Sequence, residues 1–241
     1  MFLYFLNQAI HLWWLFSFEK FLFFGSISNN SQLLFLKIYL DIPMHMKEKS
    51  YVMVKHDGIQ RGLVGEITKR FEQSGLKLIG IKMFTPDRER AVKHYGKSDE
   101  WCQEKGEMMV KNIKDAGGEP EKDAIAYGRD IVEQVVNYIT TGPVVAMVWE
   151  GHAAVEIVKK LVGGTQPTTS DVGTIRGDYT HDSYELANMQ MRAVRNLIHC
   201  TGESDESEFE VNLWFDPSEL VEYAHIAELM LYDVNLDGVF E

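Results

Sequence analysis

The chain lacks most of the short patterns that announce a site. Its 241 residues contain no Gly-x4-Gly-Lys-Ser/Thr loop and no Gly-x-Gly-x-x-Gly turn, so the two common glycine-rich phosphate cradles are absent. No His-Glu-x-x-His or Cys-x-x-Cys pattern occurs, which removes the usual sequence-local metal sites. Two cysteines, Cys102 and Cys200, are too few for a disulfide scaffold, and a reducing compartment is the default reading. Positive charge is scarce: 24 Lys and Arg against 36 Asp and Glu give a formal net charge of -12 at pH 7. That balance argues against nonspecific binding to nucleic acid or to an anionic membrane face, since both need basic surface.

A clean apolar span is also missing. Residues 1–45 hold eight of the 13 phenylalanines and only four charges, Glu19, Lys20, Lys37 and Asp41. Met1–Phe18 is interrupted by Asn7, Gln8 and His11, and Glu19-Lys20 separates it from Phe21–Phe24, so no uninterrupted stretch of about 20 apolar residues forms. The segment has neither the basic start nor the small-residue cleavage site of a signal peptide. The favoured reading is upstream sequence translated in error, with Met44 or Met46 as the start. A membrane anchor and an interaction arm are the alternatives, and a membrane partner is expected only if this segment is real. Residues 46–241 read as one domain.

Within that domain the pattern alternates between strands and helices. Tyr51–Lys55 reads as a strand, Gly62–Gln73 as a helix, and Lys77–Phe84 as a second strand with Ile79, Ile81 and Met83 on one face. Asp87 caps a helix to about Tyr95. Val144–Trp149 is a continuous apolar run and reads as a buried strand. His152–Leu161 is a helix ended by Gly163-Gly164, and Asn196–His199 is a short fourth strand. Ser204–Trp214 and Ser218–Leu231 read as helices, the second started by Pro217. This order is the βαββαβ pattern of an α+β, ferredoxin-like fold. It predicts an antiparallel four-stranded sheet with helices on one face.

Four segments then stand out by their order. They are Tyr51-Val-Met-Val-Lys55-His-Asp57-Gly58-Ile-Gln60-Arg61-Gly62, Gly142-Pro143-Val-Val-Ala-Met-Val-Trp149-Glu150-Gly151, Gly173-Thr174-Ile-Arg176-Gly177-Asp178 and Asn196-Leu-Ile-His199. They bring one histidine, Lys55, threonines and an arginine into the pattern of a phosphate-handling site. From about Met46 to about Leu231 the chain resembles a nucleoside diphosphate kinase. Two stretches look inserted relative to that family, roughly 97–130 and 180–192. The first holds Trp101 and Met108-Met109, which could form a partner surface; a tolerated loop extension is the favoured reading of both.

The resemblance implies a ping-pong transfer of the γ-phosphate of ATP to nucleoside diphosphates through a phosphohistidine. A lone histidine on a strand is usually a packed core residue; the Asn196-x-x-His199 frame marks His199 as the nucleophile, because an imidazole nitrogen can hold a phosphoryl group and release it. Glu210 lies 11 residues later, the family spacing for the carboxylate that orients the ring. Lys55 supplies a compact charge and Arg176 a fork for phosphate, since this chemistry is largely positioning and electrostatics. By resemblance, Thr165 meets a phosphate, Tyr95 lies near the histidine, Asn196 bonds the sugar, and Thr201 bonds Glu210. Mg²⁺ is expected on the nucleotide, held by phosphates and water. Homo-oligomers, hexameric or tetrameric, and a cytoplasmic location are further expectations, as is the absence of a nucleic-acid partner.

Several positions depart from the family. The second phosphate arginine aligns with Lys159, which keeps the charge and loses the fork. The base-stacking phenylalanine aligns with Ile131, its leucine partner with Val135, and the valine of the base slot with Ala193. The altered clamp and the methionine-rich insertion motivate the alternative of a phosphohistidine signalling protein of the same fold. Cys200 reads as a packing residue, since neighbours on a strand face opposite sides. Asp233-x-Asn235-x-Asp237-Gly238 matches half a calcium loop but lacks the glutamate at its twelfth position, and reads as a solvated tail.

Overall fold

The computed structural model describes residues 47–115 and 117–233; the 1–45 segment and positions 234–241 of the C-terminal pattern lie outside the described residues. In chain order the elements are β1 (Glu48–Val54), α1 (His56–Gln60), α2 (Val64–Gln73), β2 (Lys77–Phe84), α3 (Arg88–Tyr95), α4 (Asp99–Asp115), α5 (Ala124–Thr140), β3 (Val144–Gly151), α6 (Ala154–Val162), α7 (Ile175–Tyr179), α8 (Tyr184–Met189), β4 (Ile198–Cys200), α9 (Ser204–Trp214) and α10 (Ile226–Tyr232). The four strands form one antiparallel sheet in the order β2-β3-β1-β4. The α+β, ferredoxin-like expectation therefore holds.

Helices cover both faces of this sheet rather than one. Val52, Val54, Met147 and Trp149 pack against Ile67 and Phe71 of α2 and Val158 and Val162 of α6. On the other face Tyr51, Met53, Ala146 and Val148 pack against Ala91 of α3, Val136 and Ile139 of α5, and Val211 and Trp214 of α9. The strand sequences carry the reason. Tyr51–Val54 and Val144–Trp149 are apolar at every position, and a strand with one wet face would alternate.

Two sequence expectations need correction. In β2 the pairing slips between Leu78 and Gly80, and such a bulge changes which side chains face the core. Ile79 remains buried, while Ile81 and Met83 are 52% and 60% exposed. The helix expected over Ser218–Leu231 is broken. After a short 3-10 turn at Pro217–Glu219, the chain runs past the bulged edge. There Val221 N donates to Ile79 O at 2.8 Å and Tyr223 Oη to Leu78 O at 3.0 Å. Edge carbonyls of β2 thus hold the segment extended until α10.

Both inserted stretches contain helices among the described residues. The first forms the α4–α5 hairpin, whose helices touch at two glycines: a Cβ on Gly106 would lie 1.6 Å from Ala124 O, and one on Gly128 2.0 Å from Cys102 O. Its second helix continues beyond the inserted stretch and packs Val136 and Ile139 on the sheet. The second forms α8. It is clasped at its base by Asp182, which accepts from Arg192 at 2.6 and 2.9 Å and from Arg195 N at 2.7 Å.

Candidate active site

The site is built where β1 ends beside β4. His199 lies opposite Met53 in the ladder, so its backbone is fixed by the sheet core. Just before it, Leu197 adopts φ +67°, a left-handed conformation that costs a non-glycine residue about 1–2 kcal/mol. Two bonds hold the strain: Lys55 N donates to Leu197 O at 2.8 Å, and Leu197 N donates to Asp57 Oδ2 at 3.1 Å. This turn brings Asn196 against Lys55, whose Nζ donates to Asn196 Oδ1 at 2.7 Å. Asn196 Nδ2 in turn donates to Thr165 O at 2.9 Å.

His199 Nε2 lies 2.9 Å from Glu210 Oε1. The other carboxylate oxygen accepts from Thr201 Oγ1 at 2.7 Å. Glu210 and Thr201 are therefore joined as the resemblance implied, and Nε2 is the nitrogen committed to the protein. With the proton at Nε2, Nδ1 carries the free lone pair. Burial first, then the charges of Lys55 and Arg176, hold the His199 pKa well below the usual imidazole range, so the ring is neutral at pH 7. Burial raises the Glu210 pKa.

Lys55 is 7% exposed. Its pKa falls from the ordinary 10.5 to about 8, by burial first and the Arg176 charge second. Arg176 differs from the expected open fork. Nε donates to Asn196 O at 3.3 Å, Nη1 to Gly163 O at 2.9 Å and Nη2 to Ile198 O at 2.7 Å. A guanidinium has five N–H groups, so two remain for an anion. The same side chain thus ties the chain before β4 to the end of α6. Lys159 is engaged with Glu203 at 2.9 Å, and phosphate contact there requires that exposed pair to open.

Tyr95 stands beside His199, the two ring centroids 5.6 Å apart. Its buried hydroxyl has no hydrogen-bond partner, and burial raises its pKa. Thr165 is exposed and meets the cluster through its carbonyl. Ile131 and Val135 on α5 and Ala193 before β4 are half-buried, outside the interlocked polar group. Cys200 packs with the apolar cluster on the far face, as expected, and burial raises its pKa.

Three participants escaped the sequence reading. Asp57 holds the strained turn. His94 Nε2 lies 3.1 Å from His199 Nε2, and Trp214 Nε1 donates to His94 Nδ1 at 3.1 Å. The pairing of His94 with Tyr95 in α3 was the only available hint; nothing local marks Trp214. Among the described residues one group could hold a metal ion, His94, His199 and Glu210, whose ligand atoms lie within 4.8 Å of one another. Two imidazoles are a poor set for Mg²⁺, which takes oxygen ligands.

The family model described as nucleoside diphosphate kinase matches residues 48–112 and 124–220, parting only at the turn of the α4–α5 hairpin. A nucleoside diphosphate kinase of Pyrobaculum aerophilum is 42% identical over 180 residues, covering 73% of this chain and 98% of the relative. The crystal structure of an NDP kinase from that organism superposes with a TM-score of 0.68 at 41% identity, over 73% of this chain and all of that one. A Borrelia burgdorferi nucleoside-diphosphate kinase, solved as a transition state mimic with bound vanadate and ADP, gives a TM-score of 0.63 at 28% identity, over 77% and 97% of the two chains.

Proposed function

This chain belongs to the nucleoside diphosphate kinase family, and on that premise we propose that it moves the γ-phosphate of ATP to nucleoside diphosphates in a ping-pong cycle through a phosphohistidine on His199. One observation carries the assignment: His199 Nε2 is bound to a buried carboxylate at 2.9 Å, beside two buried cations, with Nδ1 left as the nucleophilic nitrogen. The lone pair of Nδ1 attacks the terminal phosphorus as the bond to the bridging oxygen breaks. Lys55 and the two spare N–H groups of Arg176 stabilise charge on the phosphoryl oxygens. Glu210 stabilises the positive charge that appears on the ring, with Thr201 orienting it. Tyr95 offers its unpaired hydroxyl, and Asn196 its amide, to the nucleotide. Thr165 and Lys159 flank the phosphates, and Ile131, Val135 and Ala193 form an apolar clamp for the base.

The substrate is the Mg²⁺ complex of the nucleotide, the ion held by phosphates and water. Vanadate and ADP in the B. burgdorferi relative support a nucleotide acceptor over a protein one. The catalytic unit is taken as residues 46–241. Assembly into hexamers or tetramers is supported by Ile81 and Met83 of β2, which are exposed beyond the part of the edge that Val221 and Tyr223 cover and offer a second copy an apolar contact. The two free cysteines support a cytoplasmic location. Among the described residues no helix is long and apolar enough to cross a membrane.

The test is transfer of label from γ-labelled ATP to the full chain, followed by a chase with GDP. Acid-labile, base-stable label that moves to GTP is expected. His199→Ala should fold and transfer nothing; residual transfer above a few per cent would remove His199 as the nucleophile.

A further inference from the structure

The proposed reaction leaves one buried imidazole without a task. The His94 side chain has no exposed surface. An indole N–H can only donate, so the Trp214 contact at 3.1 Å places the lone pair of His94 on Nδ1. The ring is neutral, because burial and the neighbouring His199 hold its pKa well below the usual range. Its one proton is therefore on Nε2. That N–H faces His199 Nε2 at 3.1 Å and Glu210 Oε1 at 3.6 Å, and the triangle closes with the 2.9 Å bond between the latter two.

Such a triangle is also the outline of a transition-metal site. The surroundings of His94 reject it. A metal on Nε2 would require the proton on Nδ1, where it would point at the indole N–H instead of at an acceptor. The triangle is a proton-sharing group.

Two N–H groups cannot point at each other. The charge-assisted bond to Glu210 fixes the proton of His199 on Nε2. The N–H dipole of His94 is then left to act on the same carboxylate oxygen, at a distance long for a hydrogen bond but short for electrostatics. This matters after phosphorylation. When the Nδ1–P bond forms and the bridging oxygen leaves with its electron pair on the nucleoside diphosphate, the ring holds a positive charge and the Nε2 proton. Discharge to the second nucleotide breaks the N–P bond. With Nε2 protonated the leaving group is neutral imidazole; with that proton lost it would be an imidazolate.

We propose that His94 is a positioning residue: locked by Trp214 as an Nε2–H donor, it acts through Glu210 to keep that carboxylate ionised, so that phosphorylated His199 retains its Nε2 proton and stays ready to discharge. The inference rests on the phosphohistidine reading above. The groups facing the pair are Lys55, Arg176 and Lys97 around His199 and His94, Tyr51 and Tyr95 at the ring edges, and Cys200 near Glu210. Burial raises the Glu210 pKa, and the N–H dipole of the neutral His94 ring, 3.6 Å from Oε1, acts against that rise.

The experiment follows discharge of labelled phosphoenzyme to GDP, between pH 6 and 9.5, in the full chain. His94→Phe and Trp214→Phe should slow discharge about tenfold, because the shared proton moves from His199 to Glu210, and should raise the alkaline midpoint at which the pair loses that proton by about one pH unit, one unit being a tenfold change in proton affinity. His94→Gln, which restores an N–H donor, should recover most of both. An unchanged midpoint in His94→Phe and Trp214→Phe would overturn the proposal, as would a His94→Gln variant no better than His94→Phe. Should either aromatic variant fail to fold, ¹⁵N spectra of the wild-type histidines decide the lock: His94 must be the Nε2–H tautomer before and after phosphorylation, and an Nδ1–H form would refute it. Failure of the wild type to take up label would instead sink the underlying phosphohistidine reading, while the tautomer measurement on the unmodified chain still reports on Trp214.

Discussion

Raising the pH from 7 to 9.5 is expected to remove the charge of Lys55 while leaving His199 neutral throughout. The lysine is buried, and its pKa falls from 10.5 to about 8. At about 1.4 kcal/mol per pH unit this fall disfavours the folded, charged form by about 3 kcal/mol. Between about pH 8 and 10.5 the folded protein has released a proton that the unfolded chain still holds. The unfolded state binds more protons in that window, so the Lys55 contribution to stability rises with pH, by up to about 3 kcal/mol. Catalysis runs the other way. A neutral amine no longer stabilises phosphoryl charge, and kcat/KM for ATP, which reports the free enzyme, should fall about tenfold per unit above pH 8.

The assay is kcat/KM and thermal unfolding from pH 6 to 10, in the wild type and two variants. Lys55→Arg keeps its charge, and its activity should start lower but lose the alkaline limb. Lys55→Met should be inactive. At pH 7 it should be more stable than the wild type by about 2 kcal/mol, after about 1 kcal/mol lost with the bond to Asn196, and the gap should close by pH 10. Comparing the two stability curves removes the background from Tyr95 and Cys200, whose raised pKa values pull stability down at high pH. Wild-type activity that is flat to pH 9.5, or an alkaline limb that survives in Lys55→Arg, would refute the reasoning.

Three other perturbations test different parts of the molecule. Gly106→Ala forces a Cβ to 1.6 Å from Ala124 O, and should cost about 3 kcal/mol of stability by overpacking; a thermal midpoint within a degree of wild type would mean the hairpin is looser than described. Ile131→Phe adds an aromatic face to the base clamp and should lower KM for nucleotides about tenfold, since base stacking contributes about 1–3 kcal/mol; an unchanged KM would move the base away from α5. Ile81→Lys places a charge on the exposed edge of β2 and should reduce the mass measured by light scattering; an unaltered oligomer would assign assembly to another surface.

What the sequence revealed and what it concealed divide along contact distance. β3 was legible because a run of six apolar residues bounded by glycines leaves few alternatives, and α9 because its boundaries at Ser204 and Trp214 coincide with local signals. The bulge at Ile79 was not legible. It is a tertiary adjustment that brings the edge of β2 onto Val221, about 140 residues later. The same holds in the site. Glu210 is separated from His199 by 11 residues, so spacing found it. His94 and Trp214 are 105 and 120 residues from their partners, and no local pattern joins them. Arg176 was found as a cation, but its commitment to three carbonyls depends on the strained turn at Leu197, and φ is not written in a leucine.

Ile131, Val135, Ala193 and Lys159, the expected contacts to base and phosphate, differ physically from the buried polar residues around His199. His199, Glu210 and Thr201 form one hydrogen-bonded set, and Lys55, Asn196 and Arg176 form another beside it, with bonds between 2.7 and 3.3 Å. Removing one member leaves others unsatisfied in a medium where an unpaired polar group is costly, so such a network changes as a whole or not at all. Ile131, Val135 and Ala193 are half-buried apolar positions, where a change of shape alters affinity without orphaning a donor. Lys159 is exposed and already paired with Glu203, so loss of the guanidinium fork costs geometry at the rim, not charge in the core. Substitutions in the clamp should therefore act on KM and on base preference, and leave the rate of phosphoenzyme formation at saturating ATP nearly constant. A clamp variant that slowed that step tenfold with KM unchanged would show that the two halves of the site are coupled.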